Sequence, residues 1–116
     1  MVGIDTEIDK YYSLRPAEYG FLESLTLQQS VQPEMWHGLD LTIRLSSISS
    51  SGSLCLEFKG VKDLRIGLIQ GLVQYRLDIR SIRDDQQEGL NYRVVESEHD
   101  LLSFVSSNFA ARICAD

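Results

Sequence analysis

The strongest constraint on the fold is a repeated alternation of apolar and polar residues between Gly38 and Phe104. One of the segments that show it is VQYRLDIRSI. The apolar phase of that segment comprises Tyr75, Leu77, Ile79 and Ile82, and the charged phase comprises Arg76, Asp78 and Arg80. Successive side chains on a strand point to opposite faces of a sheet. The segment is therefore predicted to be a strand with one face in a core and the other in water.

The same pattern recurs in six further segments: FLESLTLQQ, GLDLTIRL, SLCLEF, GLNYRVV, DLLSFVSS and NFAARICA. In GLDLTIRL, SLCLEF and GLNYRVV, the residues expected to face the core are Leu39, Leu41, Ile43, Leu45, Leu54, Leu56, Phe58, Leu90, Tyr92 and Val94. In FLESLTLQQ, Glu23 breaks the apolar phase, which indicates an edge strand with a bulge. The last two segments are predicted to pair as a hairpin that turns at Ser107 and Asn108.

Two other segments admit a helix. GVKDLRIGLIQGL has apolar residues at helical spacing, but Gly67 and Gly71 each weaken a helix by ~1 kcal/mol relative to alanine. A strand, VKDLRIG, followed by a loop, LIQGL, is therefore favoured. Near the N-terminus, a short helix or turn that plugs one end of the sheet is predicted from the spacing of Ile4, Ile8, Tyr11 and Tyr12.

About seven to eight short strands joined by polar turns are typical of a mainly β fold, either an antiparallel β-sandwich or a strongly curved sheet. No helical run separates the strands, so a parallel doubly wound sheet is not expected. A chain of 116 residues is long enough to bury a core without disulfides or metals, and a single domain over residues 1–116 is expected.

The net charge of −6 disfavours binding to nucleic acid or to an anionic membrane, since both require a basic surface. No apolar run approaches the ~20 residues of a membrane span, and acids stand where a signal peptide carries lysine or arginine. A cytoplasmic protein is expected. Cys55 and Cys114 are expected to be reduced thiols there. The alternative is a disulfide between them, which requires that their strands are neighbours.

Catalytic, metal-binding and cofactor-binding motifs are not found in the sequence. It has no glycine-rich phosphate loop and no GxSxG motif. The only residues that suit a zinc site are scattered along the chain, whereas structural zinc ligands are closely spaced: His37, Cys55, His99 and Cys114. A non-enzymatic protein without a cofactor is predicted.

Acidic residues cluster at the two ends of the hairpin predicted from VQYRLDIRSIR and GLNYRVV. They are Asp84, Asp85 and Glu88 in DDQQEG, and Glu96, Glu98 and Asp100 in ESEHD. These clusters are solvated turns, an acidic rim for a partner or a cation site, although DDQQEG lacks the spacing of a calcium loop. Between them, Arg76, Arg80 and Arg93 are expected to stripe the exposed face, available for cross-strand pairs with Asp78.

The N-terminal tyrosines have two interpretations as well. Tyr11, Tyr12 and Tyr19 either plug the sheet or form an aromatic contact patch, since tyrosine is enriched at interface hot spots.

SLCLEFKGVKDLRI and the order YRLDIRSI…GLNYRVVESEHDLLSF resemble a pattern in small, acidic, mostly β bacterial immunity-type proteins of polymorphic toxin systems, over residues 38–106. The resemblance implies a stoichiometric protein that binds and blocks a partner, with acids and aromatics against a basic surface. The alternative is a self-associating accessory module that forms a homodimer through an edge strand such as FLESLTLQQ or through the apolar LIQGLV.

Overall fold

The computed structural model describes residues 6–31, 36–47, 52–67, 74–82 and 90–114. In these ranges the chain forms one α-helix, α1 (Thr6–Ser13), a 3-10 turn (Pro16–Glu18) and seven strands. The strands are β1 (Phe21–Val31), β2 (Trp36–Ser46), β3 (Ser53–Ile66), β4 (Leu77–Ser81), β5 (Tyr92–Glu96), β6 (Leu102–Ser106) and β7 (Asn108–Cys114). The predicted loop LIQGL, the turn DDQQEG and Ile4 lie outside these residues.

All seven strands belong to one open, antiparallel sheet in the order β1-β2-β3-β6-β5-β4, with β7 also paired to β3. The fold is therefore the curved sheet of the two predicted architectures. The sheet curls until Phe21, at the start of β1, makes an isolated bridge with Gln74, just before β4. Its concave side holds the core, and α1 contributes Tyr11 to it.

The predicted hairpin of the last two strands is wrong. β6 and β7 both pair with β3 instead: β7 with the first half, from Ser53 to Lys59, and β6 with the second, from Lys62 to Ile66. Ser107 joins the two strands, and its backbone N–H and its hydroxyl both donate to the carbonyl of Lys59, at 3.0 and 2.9 Å. The chain therefore bends at Ser107 without reversing direction, because both strands follow the same neighbour.

The alternation predicted the core residues well. Those predicted to face inward and found buried are Leu41, Ile43, Leu45, Leu54, Leu56, Phe58, Tyr75, Leu77, Ile79, Ile82, Tyr92 and Val94. Leu39 and Leu90 are half-buried. At the centre, Phe58 packs edge-to-face on Phe104 and stacks on Phe109, with ring centroids 4.8 and 5.7 Å apart.

β1 is the predicted edge strand, and its register with β2 shifts between Leu22 and Ser24. The extra residue at this bulge is Glu23, whose carboxylate forms an ion pair with Arg44 on β2. Leu22 and Leu25 therefore both pack against the core although three positions separate them. Leu27, further along the strand, stays 45% exposed.

β3 confirms the predicted strand over VKDLRI, and Gly60 lets this long strand bend between its two sets of partners. Gly60 has a φ of +65°, in the left-handed region that other L-residues occupy at a cost. A Cβ at this position would overlap the Ser107 hydroxyl.

Replacing Gly60 with alanine should lower the free energy of unfolding by about 2 kcal/mol, from the left-handed backbone and the contact with Ser107. Chemical denaturation measures the change. Ser107→Ala removes the overlap but also the hydroxyl's hydrogen bond to Lys59, so it serves as the reference background. In that background Gly60→Ala should cost less than in wild type, because only the backbone cost remains. A cost of zero there would show that φ at residue 60 costs nothing.

Candidate partner-binding surface

The free edge of β4 is covered by two tyrosines of α1. The Tyr11 hydroxyl donates to the carbonyl of Leu77 at 2.6 Å. The Tyr12 hydroxyl accepts from the N–H of Ile79 at 3.2 Å and lies 3.3 Å from the Ile79 carbonyl. An edge strand otherwise presents unpaired backbone groups that can recruit another chain. The helix therefore occupies part of this edge, as the predicted plug at the end of the sheet would.

The three predicted contact tyrosines have different surroundings. Tyr11 is only 1% exposed, and burial raises the pKa of its hydroxyl well above the usual value. Its side chain thus belongs to the core, which corrects its prediction as part of a contact patch. Tyr19 is half-buried and packs against the core. Tyr12 is 46% exposed, so it is the one of the three with substantial surface to offer.

The predicted position of Glu96 also differs from the one in the structure. It was predicted to belong to an acidic rim, but its side chain is fully buried at the end of β5. One carboxylate oxygen accepts hydrogen bonds from the backbone N–H groups of Arg76 and Glu98, at 3.1 and 2.8 Å. The other accepts from those of His99 and Leu101, at 2.8 and 3.2 Å. The carboxylate holds the turn after β5 and ties it to the chain entering β4.

Burial alone would raise the pKa of Glu96, but these four donors outweigh it, and the pKa of the carboxyl is lowered. A signal for this role was present in the sequence. Glu96 continues the inward phase of Tyr92 and Val94, so alternation places it in the core.

The acids that remain exposed in the described part of the chain at this end are Glu98 and Asp100, in the turn held by Glu96. Asp100 adopts a left-handed backbone with a φ of +54°, which Asp tolerates better than most residues. Asp84, Asp85 and Glu88 lie outside the described residues. Their place in an acidic rim stays a prediction.

Two grooves adjoin the Tyr12 ring. One, of about 330 Å³, lies between the start of the chain and β4, and is lined by Arg15, Arg76 and Asp78 among others. The other, of about 450 Å³, lies over the outer face of β4 and β5 and is lined by Asp78, Arg80 and Arg93 among others. The expected pairing of these arginines with Asp78 is not what the register shows, because Asp78 lies opposite Val95, and Arg80 opposite Arg93.

The two cysteines lie diagonally across β3 and β7, with Cys55 opposite Arg112 and Cys114 opposite Ser53, and both are free thiols. Burial, together with a hydrogen bond to Cys114, raises the pKa of Cys55 to about 11. Cys114 accepts a hydrogen bond from the Arg112 guanidinium at 2.9 Å. Among the residues that the structure describes, no group of three His, Cys, Asp or Glu side chains could hold a metal ion, and no helix is long and apolar enough to cross a membrane.

Comparison with known families supplies what the geometry alone does not. The family model described as Immunity protein PIM8 matches residues 3–112. The chain belongs to this family. No curated protein and no solved structure matches it. The resemblance to immunity-type proteins predicted from residues 38–106 is thereby confirmed, over a longer stretch than the sequence pattern covered.

Membership in the Immunity protein PIM8 family implies that the chain binds a protein partner. The contact residues of such a partner are not assigned by it. In this chain, the described side chains available to a partner line the two grooves at β4 or lie in the turn after β5. They are Tyr12, Arg76, Asp78, Arg80, Arg93, Glu98 and Asp100. The arginines were predicted as an exposed stripe available for cross-strand pairs with Asp78, and among the described residues none of them forms an ion pair with it.

Proposed function

We propose that this chain is an immunity-type inhibitor, which binds a toxin protein in the cytoplasm and blocks it without catalysing a reaction. The observation that carries the proposal is the match of the Immunity protein PIM8 model to residues 3–112. The described side chains are consistent with a non-enzymatic role: His99 is exposed, and Glu96, the one fully buried carboxylate among them, is committed to four backbone donors.

We further propose that the partner is basic. The chain carries a net charge of −6, and Glu98 and Asp100 stand exposed in the turn after β5. Exposed acids of this kind attract a basic protein at long range and act mainly on the association rate. Asp84, Asp85 and Glu88 belong to the same proposal.

The experiment that tests the inhibitor role has two steps. The tagged protein captures its partner from the lysate of its source organism at low salt, and the captured protein is then produced in a test host. Growth arrest that is relieved by co-production of this chain, together with a complex of one copy of each protein, is the expected result. A captured protein that is harmless, or whose toxicity persists beside the chain, contradicts the proposal.

The acidic contact has its own prediction. Glu98→Gln/Asp100→Asn, and separately Asp84→Asn/Asp85→Asn/Glu88→Gln, should slow association with the captured toxin about three- to tenfold at low salt, with little change in dissociation. Stopped-flow binding measures both rates. Asparagine tolerates the left-handed backbone of residue 100, so folding should be kept. An association rate that is unchanged in both variants rules out the acidic contact.

A homodimer is the second candidate. β1 is an edge strand of 11 residues, and Leu27 on it is 45% exposed. Edge pairing between two copies would give the two-fold interface of a self-associating module. Light scattering that shows a strict monomer at high micromolar concentration would exclude it.

A further inference from the structure

A row of cations crosses the outer face of the half-sheet formed by β4, β5, β6 and the second half of β3. The register places Arg80 opposite Arg93, Arg93 opposite Val105, and Val105 opposite Lys62. Arg65 lies in the adjacent row, opposite Ser103. The residues beside these cations, Ile79, Val94 and Phe104, are buried on the other face. Lys62, Arg65, Arg80 and Arg93 are called the basic row below.

Within the part of the chain that the structure describes, the basic row has no ion pair of the kind found elsewhere on the sheet. Outside this half-sheet, Arg44 pairs with Glu23, and Arg112 with Glu57. Among the described residues, no carboxylate forms such a pair with a member of the basic row. In addition, the Nε of Arg93 is buried and has no hydrogen-bond partner among the described residues.

This arrangement works against stability. Like charges directly opposite each other on neighbouring strands repel, and Arg80 and Arg93 stand in that relation. Two described aspartates, Asp78 and Asp63, line the grooves beside the basic row, yet neither forms an ion pair with a member of it. An unpaired guanidinium pair of this kind is what a surface offers when its counter-charge comes from another molecule.

The surface shape fits such a role. Arg93 lines both the groove of about 450 Å³ shared with Tyr12, Asp78 and Arg80 and a second one of about 220 Å³ shared with Asp63, Arg65 and Ser103. Arg93 therefore lies between two grooves. Val95 and Val105 give the grooves an apolar floor, and the exposed Tyr12 ring borders one of them. An aromatic beside arginines is a common hot-spot composition.

We propose that the basic row binds carboxylate side chains on the surface of the protein that this chain blocks. This inference rests on the proposed function and assigns it a face. Arginine forks bind carboxylates in a bidentate geometry. A nucleic acid is disfavoured, because the net charge of −6 repels a polyanion of that length. The proposed interface then carries charges of both signs, with acids in the turn after β5 and cations on the adjoining sheet face.

The test uses acetylated, amidated hexaglutamate as a carboxylate probe, with hexaglutamine as its uncharged counterpart. At low salt, hexaglutamate should shift the backbone amide resonances of β4, β5 and β6 around the basic row, and hexaglutamine should not. Arg80→Gln/Arg93→Gln should weaken hexaglutamate binding at least about tenfold. Lys10→Gln/Arg112→Gln, which loses the same charge at exposed positions outside the row, should bind like wild type.

Arg80→Gln/Arg93→Gln should fold with an unchanged or higher melting temperature, because it removes a like-charge pair. Equal binding of hexaglutamate by this variant and wild type overturns the proposal, as does the absence of binding to wild type. A thymidine hexanucleotide that binds the row more tightly than hexaglutamate overturns it in favour of a phosphate polymer.

The captured toxin separates this inference from the proposed function. If wild type neutralises the toxin and Arg80→Gln/Arg93→Gln does so equally well with equal affinity, the basic row is not the interface, and the inhibitor role stands. If wild type fails to neutralise it, the inhibitor role fails, and the hexaglutamate result still decides whether the row binds carboxylates.

Discussion

Replacing Glu96 with glutamine should lower the free energy of unfolding by about 3 kcal/mol, because a buried carboxylate that accepts four backbone hydrogen bonds is exchanged for a neutral amide with one acceptor. The melting temperature should fall by roughly 10–15 °C for a domain of this size. Glu98→Gln, two residues on and exposed, is the matched control and should change stability by less than about 0.5 kcal/mol.

The Glu96 effect should also depend on pH. The pKa of Glu96 is lower in the folded chain than in the unfolded one, where it is about 4.3. The carboxylate therefore stabilises the fold fully above that unfolded-state value, and the stabilisation is lost as the pH falls through the folded-state pKa. The gap between wild type and Glu96→Gln should shrink in acid. A gap that stays constant from pH 7 to pH 3 would show that the charge of Glu96 is irrelevant.

Replacing Tyr11 with alanine should cost about 4 kcal/mol, since the ring fills the core beneath α1 and its loss leaves a cavity. Urea denaturation monitored by circular dichroism measures the change. Tyr11→Phe separates the ring from its hydroxyl: it keeps the packing, loses only the hydrogen bond to Leu77, and should cost about 1 kcal/mol. A cost for alanine no larger than that for phenylalanine would mean that the helix does not support the core.

Local alternation was sufficient to predict which residues face inward, as in Leu41, Ile43 and Leu45, because a period of two depends only on the strand itself. Strand pairing was harder. That β6 and β7 share β3 depends on the bend at Gly60 and the hydrogen bonds of Ser107 to Lys59, contacts between residues far apart in the sequence. A short polar step between two strands looks like a hairpin turn when only the local sequence is considered.

The candidate surface was also predictable only in part from the sequence. Tyr11 and Tyr12 are adjacent on a short helix, and helical spacing alone does not decide which of them enters the core. The burial of Glu96 was predictable from the alternation of β5. Its position in a run of acids, however, made a solvated turn the simpler interpretation. That Arg80 lies opposite Arg93 follows only from strand register, which alternation does not define.

β3 has a consequence for the order in which the chain can fold. It is the strand shared by both halves of the sheet, and its partners β6 and β7 follow it only after β4 and β5 have been made. During synthesis, β1, β2 and β3 can form a three-stranded meander, but one long edge of β3 stays open until β7 leaves the ribosome. Pairings between distant segments form slowly. The backbone N–H and C=O groups along that edge of β3 therefore stay unpaired in the nascent chain until its last strands emerge.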